Sequence, residues 1–128
     1  MLVTGTGLPV EVHFRPGSES DLTVLWKMEL DIPLGSKIYA DGAYNCFDLE
    51  DILENESITL LAKRGCKAKK RVRSRSIEKM ISSRRQIVET TFSCIADLFP
   101  RNLRACTEKG LLIKVFCSIL AFSLSKLI

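Results

Sequence analysis

Two carboxylates and one guanidinium in this sequence have side chains and positions that could serve catalysis. Asp41 follows a predicted strand in the run IYADGAYN, at the point where a glycine turn begins. An aspartate at the carboxyl end of a strand in an open α/β sheet is held rigidly while it stays open to a ligand. Glu89 and Arg85 lie four residues apart on one flank of a predicted helix, in RRQIVETTFSC. Local spacing leaves simpler roles open, because Asp41 can cap a turn and the other two can form a surface ion pair.

The elements that position these residues alternate between strands and helices. Hydrophobic periodicity and turn residues predict the order β-β-α-β-α-β, then a basic loop, then two helices. The predicted elements include strands 2–6, 10–15, 37–40 and 58–62 and a long helix 76–98. The last helix is expected to begin near Ala105 or after Gly110. This order indicates an α/β fold with a mixed sheet and helices on its faces.

The predicted amino-terminal hairpin has one apolar and one polar face. In its second strand Val10, Val12 and Phe14 alternate with polar residues, so these three are expected to be buried. His13, the only histidine, falls on the polar face, which argues against a catalytic or metal-binding role.

Polar residues mark where the helices of the first half begin. Ser18, with Asp21 three residues later, fits a capping box. Asp48 is placed to cap the next helix. Strand 58–62, which reads ITLLA, lacks polar alternation and so predicts a strand covered on both faces.

Charge is divided unevenly along the chain. Residues 1–62 hold 11 acids and 3 bases, whereas residues 63–128 hold 16 bases and 4 acids, within a net charge of +4. Residues 63–75 hold eight of these bases, which are Lys63, Arg64, Lys67, Lys69, Lys70, Arg71, Arg73 and Arg75. Such a run predicts a mobile loop and indicates a nucleic-acid partner. A solvated basic loop without a ligand is the alternative.

The cysteines and the apolar carboxyl-terminal segment indicate the cellular compartment of the protein. Five cysteines, with neither zinc-knuckle nor CxxC spacing and no recognisable secretory signal, predict reduced thiols in the cytosol. Residues 111–128 are apolar, but Lys114 and Lys126 interrupt them, and the uncharged run is shorter than the ~20 residues of a spanning helix. A buried carboxyl-terminal helix is therefore expected, and membrane association is the alternative.

Three segments together resemble bacterial insertion-sequence transposases of the DDE type. They are LVTGTGLPVEVHFRPGSESD, IYADGAYN followed by DLEDIL, and RRQIVETTFSCIADLFPRNLRA, and they cover nearly the whole chain in the family's order. The Arg-x-x-x-Glu spacing of the family is kept between Arg85 and Glu89. Ser82 replaces a Tyr that is often found three residues before the Arg, and Ala96 replaces a base often found seven residues after the Glu.

The resemblance implies a ribonuclease-H-like fold and DNA transposition. The family's second catalytic Asp follows the fourth strand and its catalytic Glu follows an Arg on a later helix, which matches Asp41, Glu89 and Arg85. Such enzymes cut a phosphodiester at a transposon end and join the freed 3′ hydroxyl to target DNA, using two Mg²⁺ or Mn²⁺ ions. Asp41 and Glu89 would be metal ligands, and Arg85 would neutralise a phosphate or orient Glu89. Residues 63–75 would hold the DNA backbone without reading its sequence.

The resemblance also implies that residues 1–128 are a partial catalytic domain, with 63–75 a basic loop and 76–128 the carboxyl-terminal helices. The family's first catalytic Asp, and the first strand that carries it, would precede Met1. Metal binding is therefore expected to be weak and the chain inactive alone. Loss of that strand would separate the hairpin 2–15 from the other strands and leave edges that are prone to aggregate.

Three alternatives stay open beside a transposase fragment. A non-catalytic remnant would bind DNA through the basic run alone. A small membrane-associated protein would be anchored by residues 111–128. A fragment that complements a separately encoded amino-terminal piece would regain cleavage with it. The leading interpretation is a cytoplasmic bacterial protein that is associated with the nucleoid when bound to DNA, and no membrane partner is expected.

Overall fold

The computed structural model describes residues 1–100 and 104–128, and its contacts divide the chain into two units. Unit 1 consists of Met1–Phe14 and Gln86–Ile128, and unit 2 is Arg15–Arg85. The elements are β1 Leu2–Val3, β2 Pro9–Glu11, α1 Asp21–Lys27, β3 Lys37–Ala40, α2 Phe47–Asn55, β4 Thr59–Ala62, α3 Arg75–Ala96 and α4 Glu108–Leu127. Their order is the predicted one. Residues 101–103 of the third motif segment lie outside the described residues.

The strands lie in two small sheets and not in the single mixed sheet that the order predicted. β1 pairs with β2 antiparallel, and β3 pairs with β4 parallel, from Lys37 opposite Thr59 to Ala40 opposite Ala62. α2 connects the parallel strands, because a parallel pair needs a crossover. The α/β class is confirmed.

The core of unit 2 takes side chains from each of its helices and strands. The buried apolar residues are Val24, Leu25, Ile38, Leu49, Leu53, Ile58, Leu60, Ala62 and Ile81. Burial of one such Leu or Ile side chain contributes about 1.5–3 kcal/mol. In β4, Leu60 and Ala62 are buried while Thr59 is exposed. The other face carries exposed Thr59 and half-buried Leu61, so β4 is covered fully on one face and only partly on the other, where full cover was predicted.

α1 is capped by Ser20 and not, as predicted, by Ser18. The Ser20 hydroxyl accepts a hydrogen bond from the backbone N–H of Thr23 at 3.3 Å. The helix ends at Lys27, whose charge suits the negative end of the helix dipole. Trp26, the only tryptophan, is 46% exposed on this helix.

α2 begins one residue before its predicted cap. Its N-cap is Cys46, which makes no side-chain capping hydrogen bond. Asp48 instead lies in the first turn, where its negative charge favours the amino-terminal end of the helix. Leu49 and Leu53, four residues apart, turn the same face of α2 into the core.

The hairpin of unit 1 is much shorter than predicted. Pro9 has no backbone N–H to give to the ladder, and the register shifts within β1. The expected buried face is also wrong, since Val10 and Phe14 are exposed. Val12 alone of the three packs against a core, and it does so beyond the end of β2.

The turn of this hairpin is fixed to α3. Gly7 has a φ of +82°, a conformation that favours glycine. The Thr91 hydroxyl donates a hydrogen bond to the Gly7 carbonyl oxygen at 3.1 Å, and both residues are buried. A Cβ added at Gly7 would lie 2.9 Å from that hydroxyl oxygen. Conformation and close approach thus both require glycine here.

α4 packs along a narrow stripe only, which corrects the prediction of a buried carboxyl-terminal helix. Ile119 and Phe122 form a small cluster with Ile95 of α3. Most other large apolar side chains of α4 are exposed, among them Leu111, Leu112, Ile113, Phe116, Leu120, Leu124 and Leu127. The helix has 20 residues and is long and apolar enough to cross a membrane, a test that core helices of soluble proteins also pass.

Candidate functional site

Asp41 lies directly after β3, at the carboxyl end of the strand, as predicted. Its Oδ1 accepts a hydrogen bond from the Gly42 backbone N–H at 2.6 Å and so caps the short 3₁₀ turn Gly42–Tyr44. The carboxylate is nevertheless half exposed. The turn-capping role and an open position therefore coexist, and the cap does not exclude a ligand.

Arg85 pairs with Asp41, a contact that the sequence did not predict. Its Nη1 lies 3.2 Å from the Asp41 Oδ1, and both side chains are partly exposed. A pair of this kind contributes at most about 1 kcal/mol. Its consequence is electrostatic, because a positive charge stands beside the candidate catalytic carboxylate. The two residues are 44 positions apart, so no local pattern could have joined them.

Glu89 is exposed on α3, one helical turn after Arg85, and belongs to unit 1. Carboxylate oxygens are the donors that Mg²⁺ prefers. Among residues 1–100 and 104–128, however, no three His, Cys, Asp or Glu side chains come together as a group that could hold a metal ion. The described residues therefore do not complete a metal site, and the roles of Asp41 and Glu89 as ligands stay predictions.

Tyr44 is a neighbour of the site that the sequence analysis missed. Burial raises the pKa of its phenol above the ordinary value of 10.0, and the negative charge of Asp21 acts in the same direction. The positive charge of Arg15, which pairs with Asp21, opposes them. Tyr44 therefore stays a protonated hydrogen-bond donor at neutral pH. Its position three residues after Asp41 was the only signal in the sequence.

Arg64, from the basic run, is committed to contacts inside unit 2. It is buried, and its Nη1 and Nη2 lie 2.7 and 2.8 Å from the two carboxylate oxygens of buried Glu50. The same guanidinium donates to the Asn45 side-chain oxygen and, at 3.3 Å, to the Arg71 carbonyl oxygen. Release of Arg64 would leave the Glu50 carboxylate buried without its closest counter-charge, which is costly.

Arg71 binds the next carboxylate of α2. Its Nη1 and Nη2 lie 2.9 and 3.1 Å from Oδ1 and Oδ2 of Asp51. This hydrogen bonding lowers the pKa of the Asp51 carboxyl and raises the pKa of Arg71. The guanidinium carbons of Arg64 and Arg71 lie 4.9 and 4.7 Å from the centre of the Phe47 ring, within cation–π range. The start of α2 is therefore the anchor for both arginines.

Arg73 covers the open edge of β4. Its guanidinium donates to the carbonyl oxygens of Ala62 and Leu60. The N–H groups of Thr59 and Lys63 bond toward β3, so the carbonyls of the alternate residues face away from that strand. Unpaired edge carbonyls invite another strand. Arg73 thus covers the edge of β4 that is turned away from β3.

The other five bases of the run are exposed: Lys63, Lys67, Lys69, Lys70 and Arg75. In the part of the chain that the structure describes, no carboxylate lies within ion-pair distance of their side chains. The eight bases predicted to bind DNA are therefore of two kinds. Three have partners inside unit 2, and five face solvent.

One comparison with known proteins gives a match. A protein-family model described as Transposase DDE domain matches residues 1–124. No curated protein and no solved structure matches the chain. The matched family defines the class of protein as a transposase, a class that acts on DNA and generally uses divalent metal ions. Because the match spans nearly all of its length, the chain belongs to the DDE-domain transposase family.

Proposed function

We propose that the chain acts in DNA transposition as part of a catalytic domain that cuts a phosphodiester at a transposon end and joins the freed 3′ hydroxyl to target DNA. The observation that supports this proposal is the family match over residues 1–124. Asp41 and Glu89 are proposed as two of the catalytic carboxylates and as ligands of Mg²⁺ or Mn²⁺. The protein would work in the cytoplasm, associated with the nucleoid when bound to DNA.

Arg85 is proposed to keep the Asp41 carboxylate in place at the end of β3. Its Nη1 lies 3.2 Å from the Asp41 Oδ1, and the Gly42 N–H holds the same oxygen from the backbone. Two donors of this kind fix a side chain that would otherwise rotate freely in solvent. The guanidinium is also chemically suited to a phosphate oxygen of bound DNA.

Residues 1–128 are proposed to be inactive, or nearly so, by themselves. The family resemblance implies three catalytic carboxylates, whereas the described residues bring no three candidate ligands together. We propose that a third carboxylate comes from outside these residues, for example from a separately encoded amino-terminal piece. Metal binding by the chain alone is accordingly expected to be weak.

The test combines DNA cleavage with direct metal binding. Plasmid and transposon-end DNA are incubated with the chain in Mg²⁺ or Mn²⁺, with and without the amino-terminal piece, and Mn²⁺ binding is measured by electron paramagnetic resonance. We expect cleavage only with the added piece, and we expect Asp41→Asn and Glu89→Gln to abolish it. The matched control is Asp48→Asn, an exposed carboxylate of α2. Cleavage and Mn²⁺ binding that survive both site variants would refute the assignment.

A second candidate function is a non-catalytic DNA-binding remnant, favoured by the five exposed bases of residues 63–75. Under this alternative, duplex binding survives Asp41→Asn and no added piece restores cleavage. Binding would be abolished when Lys69, Lys70 and Arg71 are together replaced by Ala. Recovery of cleavage with the added piece would exclude it.

A further inference from the structure

We propose that residues 63–75 meet DNA through five bases only, while the other three build the support that presents them. The first group, called the DNA-facing set, is Lys63, Lys67, Lys69, Lys70 and Arg75. The second group, called the arginine clasp, is Arg64, Arg71 and Arg73. This inference rests on the proposed DNA partner and names the residues that touch it.

Two members of the clasp are already bound by groups inside unit 2 and are not available to a phosphate. Arg64 is buried against Glu50 with both Nη atoms within 2.8 Å of its carboxylate. Arg73 is nearly buried, with its side chain 12% exposed, and it gives its N–H groups to the edge of β4. Its Nη2 also lies 3.6 Å from Glu50 Oε1. A DNA phosphate could recruit either residue only by breaking contacts inside unit 2.

The third member, Arg71, is more exposed but is held in a fixed geometry. It forms a two-pronged pair with Asp51, and its backbone has a φ of +48°, in the left-handed region. A phosphate would have to displace a carboxylate that already matches the fork of the guanidinium. Arg64 and Arg71 both lie against Phe47. The six residues between them, 65–70, are therefore flanked by two side chains that are anchored on α2.

The segment between these two anchored arginines carries the exposed lysines. Lys67, Lys69 and Lys70 all lie within residues 65–70, and no carboxylate of the described residues pairs with them. An ammonium on a flexible stem can reach a phosphate without fixed geometry. Each phosphate contact adds about 0.9 to the slope of log K against log salt. The clasp therefore predicts that residues 63–75 contribute at most five bases, and not eight, to this slope.

Two adjacent residues give the sharpest test. Binding of the full chain to a fluorescent DNA duplex is measured by anisotropy over a series of NaCl concentrations. We expect Lys70→Gln to lower the salt slope by about 0.9 and Arg71→Gln to leave it unchanged. Lys79→Gln, an exposed lysine of α3 outside the segment, is the control and should also leave it unchanged. An equal loss of slope in both test variants would overturn the inference.

A second measurement needs no variant and so does not depend on how Arg71→Gln folds. The wild-type chain is treated with an acetylating reagent for lysines and with phenylglyoxal for arginines, with and without duplex, and the products are identified by mass spectrometry. We expect DNA to protect Lys67, Lys69 and Lys70, and we expect Arg64 and Arg73 to be unreactive in both states. Arginines that react freely and are then protected by DNA would contradict the clasp. If the wild-type chain binds no duplex, the proposed DNA partner is refuted. If the chain binds duplex but Arg71→Gln lowers the salt slope as much as Lys70→Gln does, only this inference is refuted.

Discussion

Unit 2 buries apolar side chains from each of its helices and strands, whereas unit 1 leaves most of a 20-residue helix exposed. In unit 2 the parallel strand pair, α2 and the start of α3 each bury apolar side chains, and a buried ion pair joins α2 to the basic segment. In unit 1 the packing depends on a small cluster around Ile95, Ile119 and Phe122. Unit 2 therefore buries more of its large apolar side chains than unit 1 does.

α4 shows that a long helix can be specified locally although few of its apolar side chains are covered. α4 has a good local start, because the Thr107 hydroxyl accepts a hydrogen bond from the Gly110 N–H at 3.1 Å. Its leucines and alanine favour helix, although helix alone buries little of their area. The apolar residues of α4 thus favour the helical conformation, but most of their side chains remain exposed to solvent.

The largest effect is expected at the buried ion pair of unit 2. Glu50→Ala should lower the free energy of unfolding by about 3–5 kcal/mol, because it leaves the Arg64 guanidinium buried without its carboxylate. Urea unfolding followed by circular dichroism measures the change. Asp48→Ala, on the same helix and exposed, is the control. A cost below about 1 kcal/mol would show that the pair is not an anchor.

The contrast between the two units can be tested by truncating one side chain in each. Ile81 is fully buried in unit 2, and Ile81→Ala should cost about 2–5 kcal/mol. Leu120 is 46% exposed on α4, and Leu120→Ala should stay within about 0.5 kcal/mol of the wild type. The same urea titration serves both variants. Similar costs would mean that α4 is covered as completely as the core of unit 2.

A smaller effect is expected where unit 1 does make a specific buried contact. Thr91→Val should cost about 1 kcal/mol, because the Gly7 carbonyl oxygen loses its hydrogen bond. Thr90→Val is the neighbouring control, since the Thr90 hydroxyl bonds only within its own helix and is exposed. Equal unfolding midpoints for the two variants would argue against the contact.

The smallest effect is expected at the surface of unit 2 and depends on pH. Hydrogen bonding to Arg71 lowers the pKa of Asp51 in the folded chain below its ordinary value of 3.8. The stabilisation is therefore fully present above the unfolded pKa and is lost as the pH falls through the folded pKa. The difference in unfolding free energy between wild type and Asp51→Asn should be constant near neutral pH and shrink below pH 3.8. A difference that grows in acid would contradict the assigned direction.

The structural features that the sequence predicted correctly depend on residues close together in the chain. Strand 37–40 was predicted to the residue, because a short apolar run ends at Asp41 and a glycine. The cap of α1 was placed at Ser18 and lies at Ser20, since two serines fit the pattern and only the finished turn selects one.

The sequence named candidate site residues but did not predict the contacts between them. Asp41 and Arg85 were both named, yet their pairing depends on how β3 and α3 meet in unit 2. The sequence also did not predict which bases of residues 63–75 have partners in unit 2 and which are exposed. Arg73 and Lys70 carry the same charge, so composition does not distinguish them. Arg73 is held against unit 2 because it donates to the open edge of β4, whereas Lys70 is exposed.

Trp26 gives the molecule an optical signal for one unit only. It is the sole indole of the chain, and it lies half exposed near the end of α1 in unit 2. Ellipticity at 222 nm, in contrast, draws a large share of its intensity from α4 in unit 1. Coincident denaturation curves from the two signals would mean that the units melt as one cooperative body. Ellipticity that falls before the fluorescence changes would mean that the apolar helix unravels while the neighbourhood of Trp26 is still folded.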